Sequence, residues 1–147
     1  MAQALTLAYD DLALKHGHPT LTVEGKTTHP GFAVIAYGKL GSLEFGYTSD
    51  LDMIFLHGAE REGGVTDGER RIANELFFAR LAQRLIHILT ARTAGGILYE
   101  VDTRLRPSGS AGMLVTHPAA FREYQESQAW VWEHQALIRA RPIAGDA

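Results

Sequence analysis

The sequence contains no cysteine. That excludes disulfides and thiolate-ligated zinc, and it fits a reducing cytoplasm. It lacks net positive charge: 14 Lys and Arg against 17 Asp and Glu leave −3 at pH 7. Bulk electrostatics therefore favour neither nucleic acid nor an anionic membrane as partner. No stretch approaches the roughly 18 consecutive apolar residues of a membrane span. The start, MAQALTLAYDDLALKHG, has neither the basic nor the apolar region of a signal peptide. There is no internal repeat and no low-complexity tract. Three catalytic signatures are also missing. A Walker A loop needs GxxxxGK[ST], yet position 33 is Ala and Lys39 is followed by Leu40. None of the seven histidines falls in an HExxH, and no GxSxG occurs.

What remains is a chain of 147 residues, 46% hydrophobic and 21% charged, enough for one domain burying about 70% of its unfolded surface. Leu5, Leu12 and Leu14 with intervening alanines predict a helix ending near Gly17 and Pro19. HPTLTVEGKTTHPG is rich in turn formers and reads as a linker or loop. FAVIAY, bounded by glycine, reads as a buried strand, and SDLDMIFLH as a second. GAEREGGVTDG is a polar loop. Thr66 with Glu69 three residues on predicts a capping box, opening a helix from about Asp67 to Thr93. Phe78, Leu81, Ala82, Leu85, Ile88 and Leu89 form its apolar face, and Gly95-Gly96 ends it. ILYEVDTRL predicts a third strand and RPSGSAG a loop. Residues 116 to about 141 predict two helices broken near Ser127, the second ended by Pro142 and Gly145. That helix runs almost to the last residue, as in a domain cut from a larger chain. Three strands with a long crossover helix predict a small mixed sheet of α/β (α+β) class with C-terminal helices. The expected division is an N-terminal helix and linker over 1–30, a catalytic core over 31–115 and a helical segment over 116–147.

The segment GKLGSLEFGYTSDLDMIF, residues 38–55, sets two carboxylates against an apolar strand. On a strand, Asp50 and Asp52 share one face while Leu51 and Met53 point to the other. Two such carboxylates repel unless a cation lies between them, and magnesium suits hard oxygen ligands. A lone DxD is weak evidence, because most lie in solvated loops. Two further features strengthen it. Gly38, Gly41 and Gly46 form a glycine-rich turn just upstream, where backbone N–H groups can face phosphate oxygens. Asp102, in YEVDTRL, is a third acid within a strand-like run and shares its face with Glu100. Three carboxylates suit two metal ions that grip a nucleoside triphosphate and a hydroxyl nucleophile in line.

The run AYGKLGSLEFGYTSDLDM resembles the signature of the nucleotidyltransferase superfamily, with Lys39 where serine is usual. AYGKLGSLEFGYTSDLDMIFLH, ILYEVDTRLRPSGSAGMLVT and WVWEHQALIRARPIAGD together resemble the glutamine synthetase adenylyltransferase family over about residues 30–147. WEHQALIRAR and YEVDTRLRPSG are closer to its adenylylating half than to its AMP-removing half. The resemblance implies a polymerase β-like fold, two Mg2+ ions, ATP as substrate and glutamine synthetase as the protein modified on a tyrosine. It implies a cytoplasmic setting and a nitrogen-signalling regulatory protein docking largely outside this segment. By position, Asp50 and Asp52 become the metal pair, and Asp102 the third ligand or the base toward the tyrosine hydroxyl. Gly38, Lys39 and Gly41 fall at the triphosphate turn, and Ser49 meets a phosphate oxygen or caps that turn. Removal of AMP by phosphorolysis, or a regulatory module without catalysis, are the competing expectations.

Other residues divide between binding and structure. Arg104 and Arg106 share a face with Asp102 on an extended chain; they either hold a triphosphate or pair with Glu100 or Asp102. The loop Ser108 to Gly112 either admits nucleotide or is a plain turn. Arg139 and Arg141 either reach ATP or bind Glu133, the latter being the favoured reading. Trp130, Leu137 and Ala140 are expected in the core, and His57 at a cap or the surface.

Overall fold

In a computed structural model of the chain, the structure describes residues 2–37, 51–58, 64–93, 96–97, 101–104, 106–109, 112–137 and 140–145. In chain order these form α1 (Ala2–His16), β1 (Leu21–Val23), β2 (Lys26–Thr28), β3 (Phe32–Ala36), β4 (Leu51–His57), α2 (Asn74–Thr90), β5 (Arg92–Thr93), β6 (Gly96–Ile97), β7 (Val101–Asp102), β8 (Val115–Thr116), α3 (Pro118–Ser127), α4 (Val131–Leu137) and β9 (Arg141–Gly145).

The central sheet runs β7-β4-β3-β9, with β8 also on β4. β3 is antiparallel to β4 and to β9, whereas β7 and β8 are parallel to β4. The crossover from β4 to β7 is carried by α2, as parallel pairing requires. This is the expected mixed α/β sheet of nucleotidyltransferase type.

The pleat of β3 sorts the sheet into two faces. Phe32, Val34 and Ala36 are buried on one, with their ladder partners His57, Phe55 and Met53. That face packs on α1 and α2 through Ala8, Leu12, Phe77, Phe78, Leu81 and Leu85. Phe78 stacks on Phe32 at 5.8 Å between ring centroids. The opposite face carries Ala33, Ile35, Ile54 and Leu56, and Asp52 shares their parity.

Four expectations change. First, HPTLTVEGKTTHPG is not a plain linker but holds the β1–β2 hairpin. Glu24 and Gly25 both take positive φ, 51° and 79°, which matches the twist of a two-residue turn. Second, α2 starts at Asn74, not Asp67. Thr66 bridges to Pro19, and its hydroxyl accepts from Ile72 N rather than capping a helix. The first helical N–H, on Asn74, is met by Gly64 O at 3.2 Å, and Ala73 at the N-cap position offers no side-chain hydrogen bond. Third, α4 ends at Leu137. Pro142 and Gly145 belong to β9, and Pro142 is tolerated there because β9 is an edge strand. Fourth, Trp130 is 72% exposed rather than core, because it stands at the mouth of α4.

The apolar stripe on α2 is as expected: Phe77, Phe78, Leu81, Ala82, Leu85 and Leu89 are all buried. α1 also ends as expected at Gly17, whose φ of +80° and N–H to Ala13 O at 2.8 Å close the helix. A side chain at Gly17 would collide with the backbone of Gly68. Among the described residues no helix is long and apolar enough to cross a membrane.

Candidate active site

β4 brings Asp52 to the edge where β7 docks. The parallel register pairs Leu51 with Val101 and Asp52 with Asp102. Register partners on neighbouring strands lie about 4.8 Å apart and share a face. Both aspartates are half-buried. On the other side of β4, the Tyr37 N–H donates to Asp52 O at 2.9 Å. Tyr37, Asp52 and Asp102 therefore form one row across three adjacent chain segments.

Arg104 turns back onto Asp102. Its Nε reaches Oδ1 and Oδ2 at 3.0 Å each, its Nη2 reaches Oδ2 at 2.5 Å, and its backbone N–H reaches Oδ1 at 2.9 Å. The Arg104 side-chain hydrogen bonds hold the Asp102 carboxyl below its ordinary pKa, against the opposing effect of burial. Asp102 is thus ionised at neutral pH, as a cation ligand must be. The pairing of Arg104 with Asp102 matches one of its two sequence readings. Arg106 bonds Thr103 through its guanidinium, to both the carbonyl and the hydroxyl.

Asp50, Ser49, Gly38, Lys39 and Gly41 lie outside the described residues, as do Glu100 and Arg139. Among the described residues no group of three or more His, Cys, Asp or Glu gathers into a metal-holding cluster. Asp52 and Asp102 supply two adjacent ionisable oxygen donors, a donor set that suits a hard divalent cation.

Pro118, at the start of α3, lines a cavity of about 350 Å3 with Ala33, Ile35 and Leu56. Glu133 of α4 is buried. Its carboxylate accepts from Tyr124 Oη at 2.9 and 3.2 Å and from Trp130 N at 2.7 Å. Arg141 takes the register position opposite Ala36, so the ladder puts it on the α1–α2 face and not on the face of Asp52. Tyr37 is 2% exposed; burial, and then the charge of Glu133, push its hydroxyl pKa up. No motif marks Tyr37 or Tyr124. The available signal was that FAVIAY ends on a tyrosine one residue before the glycine turn.

His57 corrects another expectation. It is 6% exposed and stacks on Phe78 at 5.5 Å, because position 57 shares the core face with Phe55. It also lines a cavity of about 520 Å3 with Glu75, Ser108, Thr116 and His117, at the far end of β4 from Asp52. The segment between β7 and β8 closes in turns, with Gly109 N on Arg106 O at 2.9 Å and Gly112 N on Gly109 O at 3.1 Å.

A sequence model of glutamate-ammonia ligase adenylyltransferase matches residues 1–147. The chain belongs to this family. It is 54% identical over 147 residues to the bifunctional glutamine synthetase adenylyltransferase/adenylyl-removing enzyme of Thioalkalivibrio sulfidiphilus, covering 100% of this chain. The enzymes of the same description from Methylococcus capsulatus and Pseudomonas aeruginosa are 52% and 51% identical over 98% and 99% of the chain. The chain spans 15% of the length of each of these relatives.

Proposed function

We propose that this chain is the nucleotidyltransferase unit that moves AMP from ATP to a tyrosine hydroxyl of glutamine synthetase. The observation that carries this reading is the register of Asp52 opposite Asp102. Neighbouring carboxylates on one sheet face, one of them held ionised, suit cation-assisted phosphoryl chemistry.

In this reading Asp50, Asp52 and Asp102 hold two magnesium ions, which when bound lower the hydroxyl pKa and neutralise phosphate charge. Arg104 keeps Asp102 deprotonated and orients it. Asp102 is a metal ligand or accepts the proton of the tyrosine hydroxyl. Gly38, Lys39, Gly41 and Ser49 cradle the triphosphate with backbone N–H groups and the Lys39 charge. Arg104 is placed to turn from Asp102 to a phosphate oxygen, since its side chain is 75% exposed. The setting is cytoplasmic, and a nitrogen-signalling protein acts through regions beyond this segment.

The relatives are named for both addition and removal of AMP. Removal by phosphorolysis uses the same carboxylates, so the second reading shares the site and differs in direction. YEVDTRLRPSG and WEHQALIRAR favour addition. The test is to give the protein ATP, magnesium and unmodified glutamine synthetase, then separately adenylylated synthetase and phosphate. AMP incorporation in the first reaction only supports addition. Release of ADP in the second only reverses the assignment, and ATP binding without transfer in either makes the chain a regulatory module.

A further inference from the structure

We propose that Glu133 is a positioning residue, fixing the α3–α4 pair that leads into β9, the strand paired with the β3 segment next to the Tyr37–Asp52 link. The inference rests on the AMP-transfer reading of Asp52 and Asp102.

Glu133 is 4% exposed. A buried carboxylate is costly unless its oxygens are hydrogen-bonded, and an apolar side chain of similar size would fill the space more cheaply. What the carboxylate adds is direction. One oxygen accepts from Tyr124 Oη of α3 at 2.9 Å; the other accepts from Trp130 N, at the start of its own helix, at 2.7 Å. The two helices are thereby locked to each other through one side chain.

The α4 end of the locked pair continues into the sheet, and Pro118 at the α3 end lines a cavity with Ala33, Ile35 and Leu56. At the α4 end, Ala140 N bonds Leu137 O at 3.1 Å, and the chain passes into β9 with Arg141 opposite Ala36. The next residue of that β3 segment is Tyr37, whose N–H holds Asp52 O. The Glu133 charge lies near enough to the buried Tyr37 hydroxyl to raise its pKa. Releasing Glu133 therefore loosens the entry to β9 and, through it, the β3 segment that sets the Asp52 backbone. A shift of about 1 Å at a reacting centre can cost about 10²-fold in rate.

The experiment compares Glu133→Ala, Glu133→Gln, Tyr124→Phe and Asp52→Asn in the intact polypeptide. It measures AMP-transfer kcat and KM for ATP, and amide hydrogen exchange over residues 30–37 and 118–137. Glutamine can accept from Trp130 N and donate to the Tyr124 hydroxyl, so it keeps the lock without the charge. Glu133→Ala is expected to lower kcat by about tenfold to a hundredfold, with KM for ATP within about twofold and faster exchange in both segments. Glu133→Gln is expected to restore rate and protection. Should Glu133→Ala not fold, Tyr124→Phe carries the test, with a smaller loss of kcat and the same exchange pattern. Wild-type kcat in Glu133→Ala or Tyr124→Phe, or a Gln variant as impaired as Ala, overturns the proposal. Asp52→Asn separates the two claims. If it is inactive while Glu133→Ala has wild-type kcat, the lock alone is wrong; if it is active, the site reading falls first.

Discussion

Asp52 and Asp102 are register partners on adjacent parallel strands, 50 residues apart in sequence and side by side on one sheet face. The helix between their strands, α2, packs against the other face through its phenylalanines and leucines. The carboxylate face is thus kept clear of the crossover that creates it.

Replacing Asp52 by Asn tests that juxtaposition directly. The variant should fold, with unchanged far-UV circular dichroism, and lose AMP transfer by at least about 10²-fold, the effect of removing one well-placed electrostatic group. Asp102→Asn should behave alike. Loss of solubility in Asp102→Asn, with activity per folded molecule retained, would assign it a structural role instead.

Arg104→Leu should raise the Asp102 pKa toward the ordinary value of about 3.9, because the side-chain hydrogen bonds that lower it are gone. The sign for stability follows. A carboxyl whose folded pKa is depressed contributes above its unfolded pKa and loses that contribution as pH falls through the folded value. The wild type should therefore lose stability below about pH 4 in a step that Arg104→Leu lacks. With Arg104 three-quarters exposed, that step should not exceed about 1 kcal/mol. Carboxyl-detected NMR titration and denaturant melts at pH 3 and 6 check it.

Phe78 is fully buried between the rings of Phe32, His57 and Phe77. Phe78→Ala should cost about 3–5 kcal/mol, the range for deleting a packed aromatic ring, read as a lower urea midpoint. A cost below about 1 kcal/mol would mean that the core is not built on this stack.

Gly17→Ala should destabilise the protein by more than the roughly 1–2 kcal/mol that the left-handed conformation alone costs a residue with a Cβ. Its φ is positive, and the new Cβ would meet Gly68. Gly25→Ala is the control: φ is also positive, but no atom lies within 4 Å of the added carbon. Thermal unfolding should rank Gly17→Ala as the more damaging, and equal losses would contradict the packing of α1 against residue 68.

The sequence speaks most clearly where one period dominates. The apolar alternation of FAVIA marks β3, and the 3.6-residue stripe from Phe77 to Leu89 marks α2, since both bury a whole face. It is least legible where a short polar segment is held by remote partners. Thr66 and Glu69 carry a helix-start spacing, yet Pro19 and Ile72 take up Thr66 first. Thr22 and Thr27 give no apolar signal, yet their hydroxyls meet across the β1–β2 hairpin at 3.1 Å. Trp130 reads as core by type, yet the constraint at that position is its backbone N–H on Glu133. In the candidate site, the acids are visible as letters because carboxylates in an apolar strand are unusual. The Tyr124–Glu133 bond is not, because nine residues and a helix break separate the two.

One strand, β4, accepts β7 along its first residues and β8 along its last. Each docking is anchored separately, so a fluorophore tag or foreign peptide grafted beyond Arg106 should leave Arg104 on Asp102 and the Val115 anchor in register.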